Sequence, residues 1–138
     1  MKTLVVEDDF TCRLLLQELL RGYGPVDSAT TGVEAVHLVA EALQVGAPYD
    51  LICLDILMPE LDGQNALREI RAQEARNDIP SGHGAKVLMT SALRDNGNVL
   101  RAFREQCDGY LVKPIDRKSL IQTLHQLELV DAEGRSRL

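Results

Sequence analysis

Polar side chains end four of the apolar, strand-like runs in this sequence, and they are the residues that could do chemistry. They are the acids Glu7, Asp8 and Asp55, the hydroxyl-bearing residues Thr90 and Ser91, and Lys113. The run from Leu51 is apolar up to Asp55, and Pro59 prevents its simple continuation as a strand. Because ligands bind at the carboxyl ends of the strands in open α/β sheets, we expect these side chains to form one site.

Each of these residues has an ordinary structural explanation when it is taken alone. An acid after a strand is usually a solvated loop residue, and a lysine before a proline usually lies on the surface. Asp9 is better placed to cap a helix than to bind a ligand. Three acids, a hydroxyl and a lysine at one sheet edge are, by contrast, hard to assign to chance.

Carboxylates gathered at one sheet edge repel one another, and a bound cation would relieve that repulsion. Two of them at ~4 Å cost on the order of 4 kcal/mol at an effective dielectric constant of about 20. A ligand set of oxygens without cysteine or histidine suits Mg²⁺. Carboxylates can also accept a phosphoryl group. With the metal, Lys113 and Ser91 each covering one phosphoryl oxygen, Asp55 is the predicted nucleophile.

Five apolar runs alternate with five helix-like segments, which predicts a three-layer α/β domain with a parallel sheet. The predicted strands are Thr3–Val6, Val26–Ala29, Leu51–Asp55, Lys86–Ser91 and Gly109–Val112. The predicted helices begin after Asp9, at Thr31, at Leu61, after Asp95 and after Asp116. Helical spacing turns Cys12, Leu15, Leu16 and Leu19 inward in the first helix, and Leu67 and Ile70 inward but Glu74 outward in the third.

Length and composition indicate one domain. The chain has 138 residues, of which 45 % are hydrophobic and 26 % charged, with a net charge of −6. We expect the domain to cover residues 1–130 and a polar tail, residues 131–138, to be disordered. The acidic charge argues against nucleic acid as a partner, and no apolar stretch is long enough to cross a membrane. Three widely spaced cysteines favour reduced thiols and a cytoplasmic location.

Four segments, in their order and spacing, resemble the receiver domain of two-component response regulators. They are Val5-Val6-Glu7-Asp8-Asp9, Leu54-Asp55-Ile56-Leu57-Met58-Pro59 with Asp62-Gly63, Met89-Thr90-Ser91-Ala92, and Gly109-Tyr110-Leu111-Val112-Lys113-Pro114. The resemblance covers residues 2 to about 129, and the set is specific although each segment alone would be weak. It implies the flavodoxin-like fold, a doubly wound five-stranded sheet of order 2-1-3-4-5 with five helices.

The resemblance implies a role for each matched acid. Asp55 would accept the phosphoryl group from a phosphohistidine on a sensor histidine kinase or a histidine phosphotransfer protein. Asp8 would bind Mg²⁺ directly, and Glu7 mainly through water. Asp55 and the backbone carbonyl of Leu57 would complete the protein ligands of the metal.

The resemblance also implies a switch. Ser91 and Lys113 would contact the phosphoryl group, and the bond between Lys113 and Pro114 would be cis. On phosphorylation Ser91 would move towards the phosphoryl group and Tyr110 would rotate inward. That change would reshape the face of the fourth helix, fifth strand and fifth helix for a downstream partner. Family members often form homodimers through the same face, so a homodimer is an open alternative.

Three features depart from the family pattern or leave an assignment open. The segment Asn77–Gly84 is longer than usual and is expected at the opposite sheet edge from the acids, where it could be a contact surface. Thr90 precedes Ser91, so the hydroxyl assignment has a one-residue ambiguity. Leu57 and Leu93 flank the site and cannot orient an attacking water, which predicts slow loss of the phosphoryl group.

Three functional hypotheses compete. The first is a signalling phosphoacceptor without an output domain, which assists its own phosphorylation and dephosphorylation but is not a conventional enzyme. The second is a pseudo-receiver that acts as an interaction module independently of phosphorylation. The third is an enzyme on the same fold. A haloacid-dehalogenase-type phosphatase would need an aspartate where Leu57 stands, and the sequence contains no phosphate-binding P-loop motif.

Overall fold

A five-stranded parallel sheet forms the centre of the molecule. Its strands are β1 (Thr3–Val6), β2 (Val26–Ala29), β3 (Leu51–Asp55), β4 (Lys86–Ser91) and β5 (Gly109–Val112), in the order β2-β1-β3-β4-β5. The structure is a computed structural model that describes residues 1–56, 62–91, 107–131 and 135–137. The predicted flavodoxin-like sheet order is confirmed, and the strand bounds agree with the structure.

Helices cover both faces of the sheet. Among the described residues, the α-helices are α1 (Phe10–Leu20), α2 (Gly32–Gln44), α3 (Gly63–Arg76) and α4 (Arg117–Gln126), and a 3₁₀ turn covers Arg21–Tyr23. The side chains of Asp9, Thr31, Asp62 and Asp116 each cap one α-helix by accepting the backbone N–H three residues later. The helix predicted after Asp95 lies outside the described residues, so α4 corresponds to the last predicted helix. None of these helices is long and apolar enough to cross a membrane.

Two apolar clusters fill the space between the sheet and its helices. Val6, Ile52 and Leu54 belong to the cluster that α2 and α3 cover. Val5 and Cys53 belong to the cluster that α1 and α4 cover. Successive side chains of a strand point to opposite faces, so a strand covered on both sides must be apolar at consecutive positions. The continuous apolar runs of β1 and β3 satisfy that requirement.

The inward face of α1 is narrower than the sequence predicted. Leu16 and Leu20 are buried, whereas Leu15 is 39 % exposed and Cys12 and Leu19 are half-buried. Leu16 and Leu20 lie one helical turn apart, so they form a single stripe against the sheet. The wider set predicted from spacing includes residues on the flanks of that stripe.

The sequence wrongly predicted that Glu74 faces solvent. Its carboxylate is buried, accepts the N–H of Ala85 at 2.7 Å and forms an ion pair with Arg71 at 2.7 Å. The contact with Ala85 arises because the segment Asn77–Gly84 folds back over the end of α3. Helical periodicity assigns charged residues to the outside, and it does not take into account partners supplied by the following loop.

Part of the tail predicted to be disordered lies against the end of the domain. The N–H of Asp131 donates to the carbonyl of Arg135 at 2.7 Å, and the N–H of Arg137 donates to the carbonyl of Leu129 at 3.0 Å. The carboxylate of Asp131 also accepts the N–H of Arg135 at 2.8 Å. An aspartate that closes a local turn needs no apolar neighbours, so polar composition gives no sign of this turn.

Candidate functional site

Side-chain alternation brings Glu7, Asp55 and Lys113 to the same side of the sheet. Each lies two residues after an apolar side chain of the cluster under α1 and α4, and side chains two apart on a strand share a face. The parallel register of β1 and β3 ends with Val6 opposite Leu54, so Glu7 and Asp55 follow at neighbouring positions. Lys113 follows β5, and its long side chain reaches across the end of β4.

The charged groups of this site are in direct contact. Lys113 Nζ lies 3.1 Å from Asp55 Oδ2 and also forms an ion pair with Glu7 Oε1. One carboxylate oxygen from each of Glu7, Asp8 and Asp55 lies within 4.8 Å of the other two. Glu7 and Asp55 are buried, whereas Asp8 is exposed. The cluster is therefore a mostly desolvated site with one carboxylate that faces solvent.

Burial and mutual contact shift the pKa values of the two buried acids and of the half-buried Lys113. Burial, followed by the hydrogen bond with Glu7, raises the pKa of Asp55 to about 7. Burial also acts to raise the pKa of Glu7, but hydrogen bonds with Asp55 and Lys113 outweigh it and lower that pKa to about 2. Burial acts to lower the pKa of Lys113, whereas its two acidic partners raise it to about 12. The two buried carboxylates therefore share one proton below neutral pH, beside a charged lysine.

The donor set of the cluster fits Mg²⁺. It contains carboxylate oxygens and neither sulfur nor imidazole, as a hard divalent cation prefers. The two buried acids would both be ionised at low cost if a divalent cation lay between them. Glu7, Asp8 and Asp55 are the described residues that would hold the ion. The predicted fourth ligand, the carbonyl of Leu57, lies outside the described residues.

The end of β4 places the residues that carry the predicted hydroxyls at the same end of the sheet as Asp55. Thr90 is the register partner of Asp55, and Ser91 follows it; both are buried. The carbonyl of Ser91 accepts the N–H of Lys113 at 2.8 Å, and the bond between Lys113 and Pro114 is cis. The structure therefore puts both hydroxyl-bearing residues at the site edge.

Tyr110 lies on the other face of the sheet from Lys113. It is the register partner of Met89 on β4 and packs, half-buried, against the cluster under α2 and α3. Leu93 lies outside the described residues. The structure thus brings together Glu7, Asp8, Asp55 and Lys113, and it places Tyr110 apart from them.

Two residues of α1 contact Glu7, and neither was predicted from the sequence. Arg13 Nη1 donates to the backbone carbonyl of Glu7 at 2.9 Å. Burial, followed by the interaction with the Glu7 carboxylate, raises the pKa of the Cys12 thiol to about 12. A cysteine among apolar residues gives no hint of such a contact. The position of Arg13 near the start of α1 could have indicated such a contact, because the helix dipole disfavours a positive charge at that end.

Gly63 contributes to the site through its backbone, because the absence of a side chain lets α3 approach the strand end that carries Asp55. A Cβ atom at this position would lie 2.1 Å from the carbonyl oxygen of Asp55 and 2.8 Å from the Cα of Ile56. The N–H of Gly63 donates to the carbonyl of Ile56 at 2.9 Å. The first turn of α3 therefore packs directly on the backbone that carries Asp55, and glycine permits that approach.

Comparison with protein families gives a match over nearly the whole chain. The model of the response regulator receiver domain matches residues 3–125. The chain belongs to this family. It is therefore a receiver domain of two-component systems, as the motifs of the sequence predicted.

Curated relatives of this receiver domain include both long and short proteins. It is 36 % identical over 124 residues to the regulatory protein VanRB of Enterococcus faecalis, a match that covers 90 % of this chain and 50 % of VanRB. It is 28 % identical over 135 residues to probable histidine kinase 2 of Oryza sativa subsp. indica, covering 91 % of this chain and 12 % of the kinase. It is 31 % identical over 128 residues to the chemotaxis protein CheY of Listeria monocytogenes, covering 91 % of this chain and 97 % of CheY. The receiver domain thus spans half or less of the first two proteins and nearly all of the third.

Solved receiver domains share the fold. The receiver domain of the histidine kinase CKI1 from Arabidopsis thaliana, complexed with Mg²⁺ and BeF₃⁻, has a TM-score of 0.79 and 28 % identity, over 92 % of this chain and 89 % of that chain. The receiver domain of the sensor histidine kinase PA1611 from Pseudomonas aeruginosa, with a magnesium ion in its active-site cleft, has a TM-score of 0.72 and 30 % identity. That match covers 91 % of this chain and 94 % of that chain.

Proposed function

We propose that this receiver domain accepts a phosphoryl group on Asp55 from a phosphohistidine, carried by a sensor histidine kinase or a histidine phosphotransfer protein. The contact of Asp55 with Glu7, Asp8 and Lys113 at the carboxyl edge of the sheet is the observation that carries the proposal. Family membership and similarity to the receiver domain of a probable histidine kinase support it. The proposed receiver unit is residues 1–130.

The transfer requires a carboxylate nucleophile and positive charge on the phosphoryl oxygens. An oxygen of Asp55 forms the new bond to phosphorus while the bond between phosphorus and the donor imidazole nitrogen breaks. The electron pair of that bond stays on the nitrogen, which then takes a proton. Lys113 holds its ammonium beside Asp55 Oδ2, where it would contact one phosphoryl oxygen. The hydroxyl of Ser91 would donate to a second oxygen.

The acids of the site would hold Mg²⁺ through Glu7, Asp8 and Asp55, with the carbonyl of Leu57 as the further proposed ligand. When bound, the ion supplies positive charge that neutralises the phosphoryl oxygens and the carboxylates. The burial of Glu7 and Asp55 strengthens these electrostatic interactions because little water is present to screen them.

The proposed output is a change at the face formed by the helix predicted after Asp95, β5 and α4. Ser91 would move towards the phosphoryl group and Tyr110 would rotate inward, which would favour one of two conformers. The half-buried position of Tyr110 on β5 leaves part of its side chain exposed, as such a rotation requires. A downstream protein, or a second copy of this chain, would bind that face.

Phosphorylation by a small-molecule donor tests the proposal even while the cognate kinase is unidentified. The purified chain is incubated with acetyl phosphate or phosphoramidate and Mg²⁺, and intact mass spectrometry follows the addition of one phosphoryl group. We expect labelling of the parent, none of Asp55→Asn, and loss of labelling when a chelator removes the metal. Asp78→Asn is the matched control, because Asp78 has a φ of 62°, a conformation that asparagine tolerates well.

The outcomes separate the competing functions. If Asp55→Asn is labelled as well as the parent, another residue is the nucleophile. If neither small donors nor a panel of phosphorylated kinases labels the parent in Mg²⁺, the domain acts as a phosphorylation-independent interaction module. Transfer from one kinase much faster than from the others would identify the cognate donor.

A further inference from the structure

Arg13 connects α1 to the loop that carries two of the acids. Its Nη1 atom donates to the carbonyl of Glu7 at 2.9 Å and, in a longer contact, to the carbonyl of Asp8 at 3.4 Å. The guanidinium carbon also lies 5.6 Å from the centroid of the Phe10 ring. One side chain therefore holds both backbone carbonyls of the acid pair from a position inside the helix.

The capping of α1 does not explain this contact. Asp9 already caps the helix by accepting the N–H of Cys12 at 3.2 Å. A positive charge near a helix N-terminus is itself unfavourable, because the helix dipole is positive at that end. Hydrogen bonds from a charged donor are stronger than neutral ones, so contact with the carbonyls can outweigh that cost. The contact fixes the backbone from which the Glu7 and Asp8 side chains project.

We propose that Arg13 is a positioning residue, which holds the loop after β1 so that the carboxylates of Glu7 and Asp8 face Asp55. The guanidinium binds main-chain oxygens, and so it leaves the carboxylate oxygens available to a cation. The inference rests on the proposed Mg²⁺-dependent function of the site. Arg13 is thus added to the acids, the hydroxyl and the lysine of the proposed site. Its proposed effect is on metal binding rather than on the phosphoryl group.

Two effects of Arg13 on cation binding have opposite signs, and this makes the inference testable. A positive charge near the site repels a divalent cation, so removal of the charge alone should strengthen Mg²⁺ binding. Loss of a positioning contact should weaken binding, because the acids must then be ordered when the metal binds. We expect positioning to dominate, with Mg²⁺ affinity about 10-fold lower in Arg13→Met.

The experiment compares Arg13→Met and Arg13→Lys with Arg21→Met. Methionine removes the charge and the donors but keeps a long side chain, and lysine restores the charge with a single donor group. Arg21→Met makes the same change in charge at an exposed arginine that forms an ion pair with Glu18. Calorimetric titration with Mg²⁺ gives the affinities. The expected order is the parent and Arg21→Met tightest, Arg13→Lys intermediate and Arg13→Met weakest.

A metal-free measurement separates this inference from the proposed function. Amide hydrogen exchange is measured in the presence of a chelator, so that no metal is bound. The reporting amide is that of Asp9, whose N–H donates to Glu7 Oε2 at 3.3 Å, and the reference amide is that of Cys53 in β3. We expect faster exchange at Asp9 in Arg13→Met with no change at Cys53. If the parent fails to bind Mg²⁺ but this selective change is present, the metal function fails and the positioning role stands. Unchanged exchange at Asp9, or Mg²⁺ affinity in Arg13→Met equal to or higher than in the parent, overturns the positioning role.

Discussion

Lys113 Nζ lies 3.1 Å from Asp55 Oδ2, although Asp55 ends β3 and Lys113 follows β5, and these strands are not neighbours in the sheet. The same ammonium also contacts the buried carboxylate of Glu7. One lysine therefore compensates two acids in a largely desolvated position. Removal of the lysine charge and removal of one acidic charge should consequently change the stability of the domain in opposite directions.

We predict that Lys113→Met destabilises the metal-free domain by about 3 kcal/mol, since two buried acids then lose their positive partner. Urea denaturation measures the change, with Lys118→Met as the control at an exposed lysine. Phosphorylation by acetyl phosphate should also be slower in Lys113→Met at saturating Mg²⁺. Equal stability of the two variants would show that the ion pair at the site contributes nothing to folding.

We predict that Asp55→Asn stabilises the metal-free domain and that the gain grows as pH rises. An acid whose folded pKa is raised, here from 3.8 to about 7, favours unfolding increasingly as pH rises between those two values. Asparagine does not titrate, so the difference in the free energy of unfolding between variant and parent should increase across that window and level off above it. The gain should therefore be largest above pH ~7, where Asp55 of the parent is ionised in both states.

Denaturation in a chelator at several pH values tests this dependence. Asp78→Asn is again the control, because it makes the same change of side chain at another aspartate. Glu7 has a lowered pKa of about 2, so the stability that it contributes is lost only at more acidic pH, between 4.5 and about 2. A difference for Asp55→Asn that shrinks with rising pH would contradict the assigned direction.

We predict that Gly63→Ala destabilises the domain and slows phosphorylation of Asp55. The added Cβ would lie 2.1 Å from the carbonyl oxygen of Asp55, so the strand end or the first turn of α3 must shift. Such overpacking costs about 1–3 kcal/mol. Gly22→Ala is the control, because nothing lies within 4 Å of a Cβ at that position. Labelling of Gly63→Ala at the parental rate would show that the site tolerates the shift.

The sequence predicted the sheet and much of the site because both depend on patterns along the chain. The apolar runs predict the strands β1 and β3, and the acid at the end of each run, Glu7 or Asp55, is predicted to be a site residue. Alternation from Val5 to Glu7 and from Cys53 to Asp55 then determines which side chains share a face.

Contacts between segments that no pattern links could not be predicted in this way. Arg13 binds main-chain carbonyls of the preceding loop, and a carbonyl has no signature in the sequence. Cys12 is indistinguishable from an apolar core residue until the position of Glu7 is known. The burial of Glu74 likewise depends on the path of a loop, which glycine and proline indicate but do not determine.

We predict that the phosphorylated domain loses its phosphoryl group slowly and that Leu57→Asn shortens its lifetime. The prediction rests on the sequence, because Leu57 and Leu93 lie outside the described residues. An apolar side chain at either position cannot hydrogen-bond to an attacking water, whereas asparagine can. Decay of the labelled form by mass spectrometry measures the lifetime, with Leu57→Met as a volume-matched control. A lifetime of only seconds for the parent would refute the prediction.

We predict that Glu74→Ala destabilises the domain without changing phosphorylation of Asp55. Glu74 is buried at the opposite edge of the sheet from the site, beside a cavity of about 590 Å³ that the 79–85 segment and Cys107 help to line. Its removal takes one acidic partner from Arg71, which keeps its ion pair with Asp108 at 3.0 Å.

The expected cost is about 1–3 kcal/mol, because the N–H of Ala85 loses its acceptor while Arg71 stays paired. The matched control is Glu69→Ala, because Glu69 forms an exposed pair with Arg76 and such pairs contribute about 0–1 kcal/mol. Urea denaturation gives the stabilities, and labelling by acetyl phosphate at a temperature where all variants are folded gives the activity. A loss of labelling in folded Glu74→Ala would show that the two edges of the sheet are coupled.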